Sequence, residues 1–341
     1  MKSHEWYKQA KYGMMVHWGL YSILGGEWRG KRTPLIGEWI QSYFGIKNEE
    51  YSQLANIFNP IYFDAEEWVV FAKNCGMKYI VITSKHHDGF ALYHSKVDTY
   101  NTVDATPFKR DVIVELAEAC YKHGLKLGLY YSQELDWHDP DGGGYDKTTG
   151  CAGIGWSNIW DYPDNSKKDF TRCFERKIKP QVEEIMTKYG DICLIWFDTP
   201  GVITKEQSLE LHGLVKKYQP DCLVNSRIGN GAYDYVTLGD NEIPAKRPEK
   251  MPEKLDDDVD MNGLGGFKYS PYGVYETAAT LNDTWGYKYF DHNWKSPETV
   301  AKNKNHLNSM GVNYLLNVGP DALGRIPSIS QDILLKAAEL L

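Results

Sequence analysis

The 341-residue chain is 42% hydrophobic and 25% charged, with 38 Lys and Arg against 46 Asp and Glu for a net charge of −8. That balance is ordinary for a globular protein, and no Lys/Arg run marks a nucleic-acid surface. No segment has the apolar length of a membrane span, and Met1-Lys2-Ser3-His4-Glu5-Trp6 lacks a signal peptide's apolar stretch. A cytoplasmic protein with neither a nucleic-acid nor a membrane partner is expected.

Taken in chain order, short apolar runs alternate with amphipathic ones. Tyr12–Trp18 is predicted as a strand, Ala65–Asn74 as a helix and Lys78–Thr83 as a strand. Asp111–His123 follows as a helix, Leu125–Ser132 as a strand, and a long helix is expected over about Lys167–Tyr189. Ile192–Asp198 reads as a buried strand, Gln207–Tyr218 as a helix and Cys222–Asn225 as a strand. Weaker strand signals lie at Gly273–Ala278, near Trp285 and at Asn313–Val318, with helices at Pro297–Met310 and Ser330–Leu341. This βα alternation predicts an α/β fold with a parallel sheet, closed as a (β/α)8 TIM-like barrel in a single domain over residues 1–341. The long irregular stretches His138–Asn165 and Thr237–Pro271 follow strands, which suggests a site built from loops of one face.

Cys75, Cys120, Cys151, Cys173, Cys193 and Cys222 show no metal-site spacing and read as free buried thiols. Asp256-Asp257-Asp258 reads as a solvated loop rather than a metal site. The 11 Trp, 24 Tyr and 11 Phe suit either a sugar-binding cleft or a large core.

Polar residues recur where apolar strands end. His17-Trp18-Gly19, Lys85-His86-His87-Asp88-Gly89, Tyr130-Tyr131-Ser132, Asp198 and Asn225-Ser226-Arg227 all fall on one face of a barrel. Asp198 alone is either a turn cap or a functional carboxylate, because a charge closing a buried strand is costly unless paired or used. The set reads as a pocket. Imidazoles and an arginine bind hydroxyls, aromatic faces pack against sugar rings, and two carboxylates can work on a glycosidic bond. His86-His87-Asp88 has metal-ligand chemistry, but adjacent strand side chains diverge, so no metal and no other cofactor is expected.

Six segments, in order, resemble the signatures of family 29 glycoside hydrolases, the α-L-fucosidases. They are Tyr12-Gly13-Met14-Met15-Val16-His17-Trp18-Gly19-Leu20-Tyr21-Ser22, Lys85-His86-His87-Asp88-Gly89-Phe90 and Gly128-Leu129-Tyr130-Tyr131-Ser132 in the first half. Trp196-Phe197-Asp198, Thr284-Trp285-Gly286-Tyr287 and Leu316-Asn317-Val318-Gly319-Pro320-Asp321 complete the set. The resemblance implies Asp198 as nucleophile, with His17, Glu38, Trp39, His86, His87, Tyr131, Trp196 and Arg227 around the sugar. Trp285 would wall its methyl group. Glu27-Trp28 is a second Glu-Trp, but the sequence after Glu38-Trp39 looks more like the family's helix start. For the acid/base, Glu276 is preferred, then Glu242, then Asp240.

The resemblance further implies retention through a covalent fucosyl-enzyme and a fucosylated glycan as partner. Transfer of fucose to acceptors could compete with hydrolysis. Many members carry a C-terminal β-sandwich. This chain stops at Leu341 and resembles the compact bacterial type, some of which prefer α-1,6-linked fucose. A homo-oligomer is plausible on that ground. A fucose-binding pseudoenzyme and a metal-dependent hydrolase on a similar barrel are the alternatives.

Overall fold

The computed structural model describes residues 2–145, 155–246 and 270–341. Cys151 and Asp256–Asp258 lie outside them. Eight parallel strands make the central sheet: β1 (Tyr12–Val16), β2 (Tyr79–Lys85), β3 (Lys126–Ser132), β4 (Ile192–Asp198), β5 (Leu223–Val224), β6 (Val236–Thr237), β7 (Tyr275–Thr280) and β8 (Val312–Val318). Their order is β5-β4-β3-β2-β1-β8-β7-β6. The two ends of that order meet through the parallel bridge Asn225↔Tyr235. Tyr235 N donates to Val224 O at 3.2 Å there. The sheet therefore curls into a TIM-like α/β barrel.

Local sequence sets the flanking helices. Asp64 Oδ1 accepts from Glu67 N to start Ala65–Asn74, and Asp111 accepts from Ile113 N and Val114 N to start Val112–His123. Gly124, at φ 73°, ends the second of these in the left-handed conformation that glycine adopts without strain. Thr204 and Gln207 form a capping box at the head of Lys205–Tyr218. Two apolar layers result. Met15, Tyr79, Val81, Tyr130, Leu194, Trp196 and Leu315 fill the barrel interior. A larger cluster, including Val69, Leu116, Ile185 and Leu211, packs helices on the outside of the sheet.

Three sequence expectations need correction. The helix expected over about Lys167–Tyr189 begins at Phe170, because Asp169 turns to accept from Thr171 N and caps it there. It then passes through a π-helical stretch, Phe174–Ile178, before Lys179–Lys188. The wider turn carries Lys177 inward, where its Nζ meets Asp136 at 2.8 Å and Asp98 at 2.6 Å. The segment near Trp285 is a loop rather than a strand. The strand that completes the set of eight is instead the two-residue β6, at the start of a stretch expected to be irregular.

Cys75, Cys120, Cys173, Cys193 and Cys222 are free and buried. Burial pushes the thiols of Cys75 and Cys120 up to about 12. None of these is a reactive thiolate at neutral pH.

The floor of the barrel is tightly filled. A Cβ on Gly13 would lie 2.4 Å from Tyr79 Cζ, and Tyr79 is fully buried. Gly13→Ala should therefore cost about 1–3 kcal/mol of stability. A urea titration checks this, and an unchanged midpoint would contradict the packing described.

Candidate active site

The carboxyl ends of the strands converge on a small pocket. It is lined by His17, Glu38, Trp39, His86, His87, Tyr130, Trp196, Asp198, Arg227, Asp240 and Trp285, among others.

Asp198 closes β4 with a side chain 12% exposed. Its Oδ1 accepts from Arg227 Nη1 at 3.1 Å and from Thr199 N at 2.9 Å. Its Oδ2 accepts from Tyr130 OH at 2.8 Å. Thr199 holds φ at 56°, an outlier for a β-branched residue. That strained turn aims the Thr199 amide at the carboxylate.

Arg227 is 3% exposed and lies with Cζ 4.7 Å from the Trp196 ring centre. Its second terminal nitrogen, Nη2, is bonded to Asp240 Oδ1. One guanidinium thus joins Asp198, at the end of β4, to Asp240, just beyond β6. Burial alone would weaken the guanidinium's hold on its proton, but the two carboxylates more than offset it, and the pKa moves up.

Three imidazoles and two indoles form the walls. His17 rings lie 5.1 Å from Trp285 and 5.6 Å from His86, and the Trp39 ring is 5.1 Å from His87. His86 and His87 both enter the pocket, with ring centres 4.0 Å apart. The alternation that would separate them has ended, because β2 stops at Lys85. Burial pushes His17 down to about 4 and holds His86 and His87 well below the usual imidazole range. All three are neutral at pH 7. Glu38 is 1% exposed, and its Oε2 accepts from Gly286 N at 2.8 Å, tying its turn to the Trp285 loop. Burial pushes its carboxyl up to about 7.

Three candidates from the sequence fall elsewhere. Glu276 lies near the start of β7, at the opposite end from the pocket, in register with Asn313 and Thr237. It is 0% exposed and accepts from Trp196 Nε1 at 2.9 Å, Thr237 Oγ1 at 2.8 Å and Tyr7 OH. It supports the floor under Trp196 rather than facing a substrate. Glu242 is exposed, and its Oε2 turns back to accept from Gly239 N at 2.7 Å.

Tyr131 points out of the barrel, with its OH donating to Gln181 Oε1 at 2.7 Å and its ring under Lys85 Nζ. Tyr130, one residue earlier, takes the pocket position. Strand alternation decides this, since Tyr130 pairs with Trp196 and Ser132 with Asp198 in register. That parity was available in the sequence, whereas Thr199's strained turn and the approach of Asn317 to His17 were not. Among the described residues, no group of three or more His, Cys, Asp or Glu is placed to hold a metal ion. None of their helices is long and apolar enough to cross a membrane.

The family model for α-L-fucosidases matches residues 1–341. The chain belongs to the α-L-fucosidase family. It is similar to the unliganded α-L-fucosidase AlfC from Lactobacillus casei, with 55% identity and a TM-score of 0.90 over 99% of this chain and 97% of that one. It is also similar to an α-L-fucosidase from Vibrio sp. strain EJY3, with 34% identity and a TM-score of 0.87 over 99% of this chain and 54% of the other. Among curated relatives, a Caenorhabditis elegans sequence described as a putative α-L-fucosidase is 28% identical over 96% of this chain, which spans 62% of that relative's length.

Glu38 gives the site a pH signature. Its carboxyl ionises near 4.5 when unfolded and at about 7 when folded, so the folded state binds the extra proton between those values. Stability then falls as pH rises from about 4.5 to 7 and levels off above. Glu38→Gln should gain up to about 3 kcal/mol relative to wild type at pH 8 over its standing at pH 4. Thermal melts at the two pH values check this, and a pH-independent difference would contradict it.

Proposed function

We propose that this chain is a retaining exo-α-L-fucosidase, with Asp198 as nucleophile and Asp240 as acid/base. The observation that carries this is the Arg227 guanidinium held between those two carboxylates inside an aromatic pocket. Retention needs carboxyl groups about 5–5.5 Å apart, with no room for water between them. Two carboxylates bonded to the two terminal nitrogens of one guanidinium support such a close pair.

In the first step an Asp198 oxygen attacks the anomeric carbon, and the bond to the leaving oxygen breaks. That oxygen takes the proton of Asp240, giving a fucosyl ester on Asp198. Water then attacks the same carbon, Asp240 takes its proton, and fucose leaves with Asp198 restored. Asp240, 29% exposed, can exchange its proton with water. Glu276, sealed in the floor, cannot. This supports Asp240 over Glu276, while Glu242 turns back to Gly239 N instead of sharing Arg227 with Asp198.

The neutral histidines, Glu38 and Trp39 would bind hydroxyls, with Trp285 against the sugar's methyl. The described residues build one barrel, which supports reading 1–341 as a single catalytic domain. The reaction needs no cofactor. One AlfC mutant is described in complex with Fucα(1,6)GlcNAc, and others as fucosyltransferase mutants. An α-1,6-fucosyl glycan is accordingly the first substrate to test here, with transfer to a sugar acceptor as a competing outcome.

Asp198→Ala should lose at least about 10³-fold in kcat on 4-nitrophenyl α-L-fucoside, and azide should restore turnover as the β-fucosyl azide. Full activity in that variant sinks the assignment. Asp240→Ala should be slowed much more on poor leaving groups than on 4-nitrophenol. If Glu276→Ala shows that dependence and Asp240→Ala does not, Glu276 is the acid/base.

A further inference from the structure

Two pocket histidines are held by groups that permit only one proton arrangement. His17 Nδ1 lies 2.8 Å from Asn317 Oδ1. The other end of that amide, Nδ2, donates to the Trp285 carbonyl at 2.7 Å. A backbone carbonyl only accepts, so it selects the amide nitrogen and leaves Oδ1 facing the imidazole. Oδ1 only accepts in turn, so the proton sits on His17 Nδ1.

His87 repeats the logic with different groups. Its Nδ1 lies 2.8 Å from Ser132 Oγ, and that hydroxyl donates to Leu135 O at 2.8 Å. The serine's one proton is committed to the carbonyl, so Oγ accepts from His87 Nδ1. His86 has no hydrogen bond at Nδ1 to the described residues, so nothing fixes its tautomer. Asn317 is 2% exposed and Ser132 0%, which leaves little access for water to rearrange either contact. Both imidazoles are neutral at pH 7, so each carries a single proton.

We propose that Asn317 and Ser132 are positioning residues that fix His17 and His87 as Nδ1–H tautomers. The pocket then offers two Nε2 lone pairs and takes two sugar hydroxyls as hydrogen-bond donors. This rests on reading the pocket as a sugar site. The other donors near the nucleophile, Tyr130 OH and Arg227 Nη1, are committed to Asp198.

The tautomer of His87 also bears on the nucleophile. Its Nε2 lies 3.9 Å from Asp198 Oδ2. A lone pair there leaves Oδ2 without a further donor. The opposite tautomer would aim an N–H at that oxygen and weaken its attack.

The test is a long-range ¹H–¹⁵N spectrum of the ligand-free protein labelled in histidine, assigned with His17→Gln and His87→Gln. His17 and His87 should both show a protonated Nδ1 and a bare Nε2 across about pH 6–8. Ser132→Ala should turn His87 into a tautomer mixture without moving His17, and Asn317→Ala should do the reverse. A protonated Nε2 on either ring in the wild type overturns the proposal. On 4-nitrophenyl α-L-fucopyranoside, Ser132→Ala should lose about tenfold in kcat/KM and Ser132→Thr, which keeps the hydroxyl, should recover it. Wild-type activity in Ser132→Ala contradicts the role. An inactive wild type with the expected spectrum would instead overturn the fucosidase reading and leave the tautomers standing.

Discussion

The ion pairs of Arg227 with Asp198 and Asp240 organise the active end of this barrel. Two carboxylates drawn together in one pocket repel. A guanidinium that is almost fully buried offsets that repulsion and brings both side chains onto its own planar fork. It is itself held from behind, by the Trp196 ring at 4.7 Å. Trp196 in turn is tied through Nε1 to Glu276. The chain of support runs from the floor of the barrel to the reacting carboxylates.

Buried polar links deliver these groups from separate loops. Glu134 accepts from Gly144 N at 3.0 Å, Gly201 N at 2.6 Å and Ile203 N at 2.9 Å, so it joins the turn after β3 to the turn after β4. Asn225 bonds both backbone groups of Phe197, locking β5 beside the end of β4. Gln133 donates to the carbonyl of Arg227 itself at 2.9 Å. The Glu134, Asn225 and Gln133 residues that make these links are fully buried, where an unmade hydrogen bond is expensive. The loops are therefore held in one arrangement, and the Thr199 strain is carried by the structure around it.

Much of this was legible in the residues. Five polar strand ends in order announced a parallel barrel and the face that carries the pocket, and Asp198, His17, His86, His87 and Arg227 lie there together. What was missed turned on parity, which strand alternation offers, and on depth, which it does not. Tyr130 and Tyr131 are adjacent and chemically alike, and only the alternation set by Trp196 and Asp198 separates the pocket residue from the core residue. Glu276 and Asp240 are both acidic residues near strands. No local pattern shows that one sits at the entry end of its strand and the other beyond the exit end of its own. The strand β6 was missed because two residues carry no period. Its place comes from pairing with β7 and from the bridge that closes the sheet. Asn317 was visible only as part of a motif, since its contact with His17 spans the join between β1 and β8.

The most direct measurement is the anomeric form of the first sugar released, followed by ¹H NMR from the moment enzyme is added to an aryl α-L-fucoside. If the carboxylates that share Arg227 act as nucleophile and acid/base, the product should appear first as α-L-fucose and only later mutarotate. If β-L-fucose appears first, the pair is not acting as nucleophile and acid/base, and the Arg227-centred account is wrong.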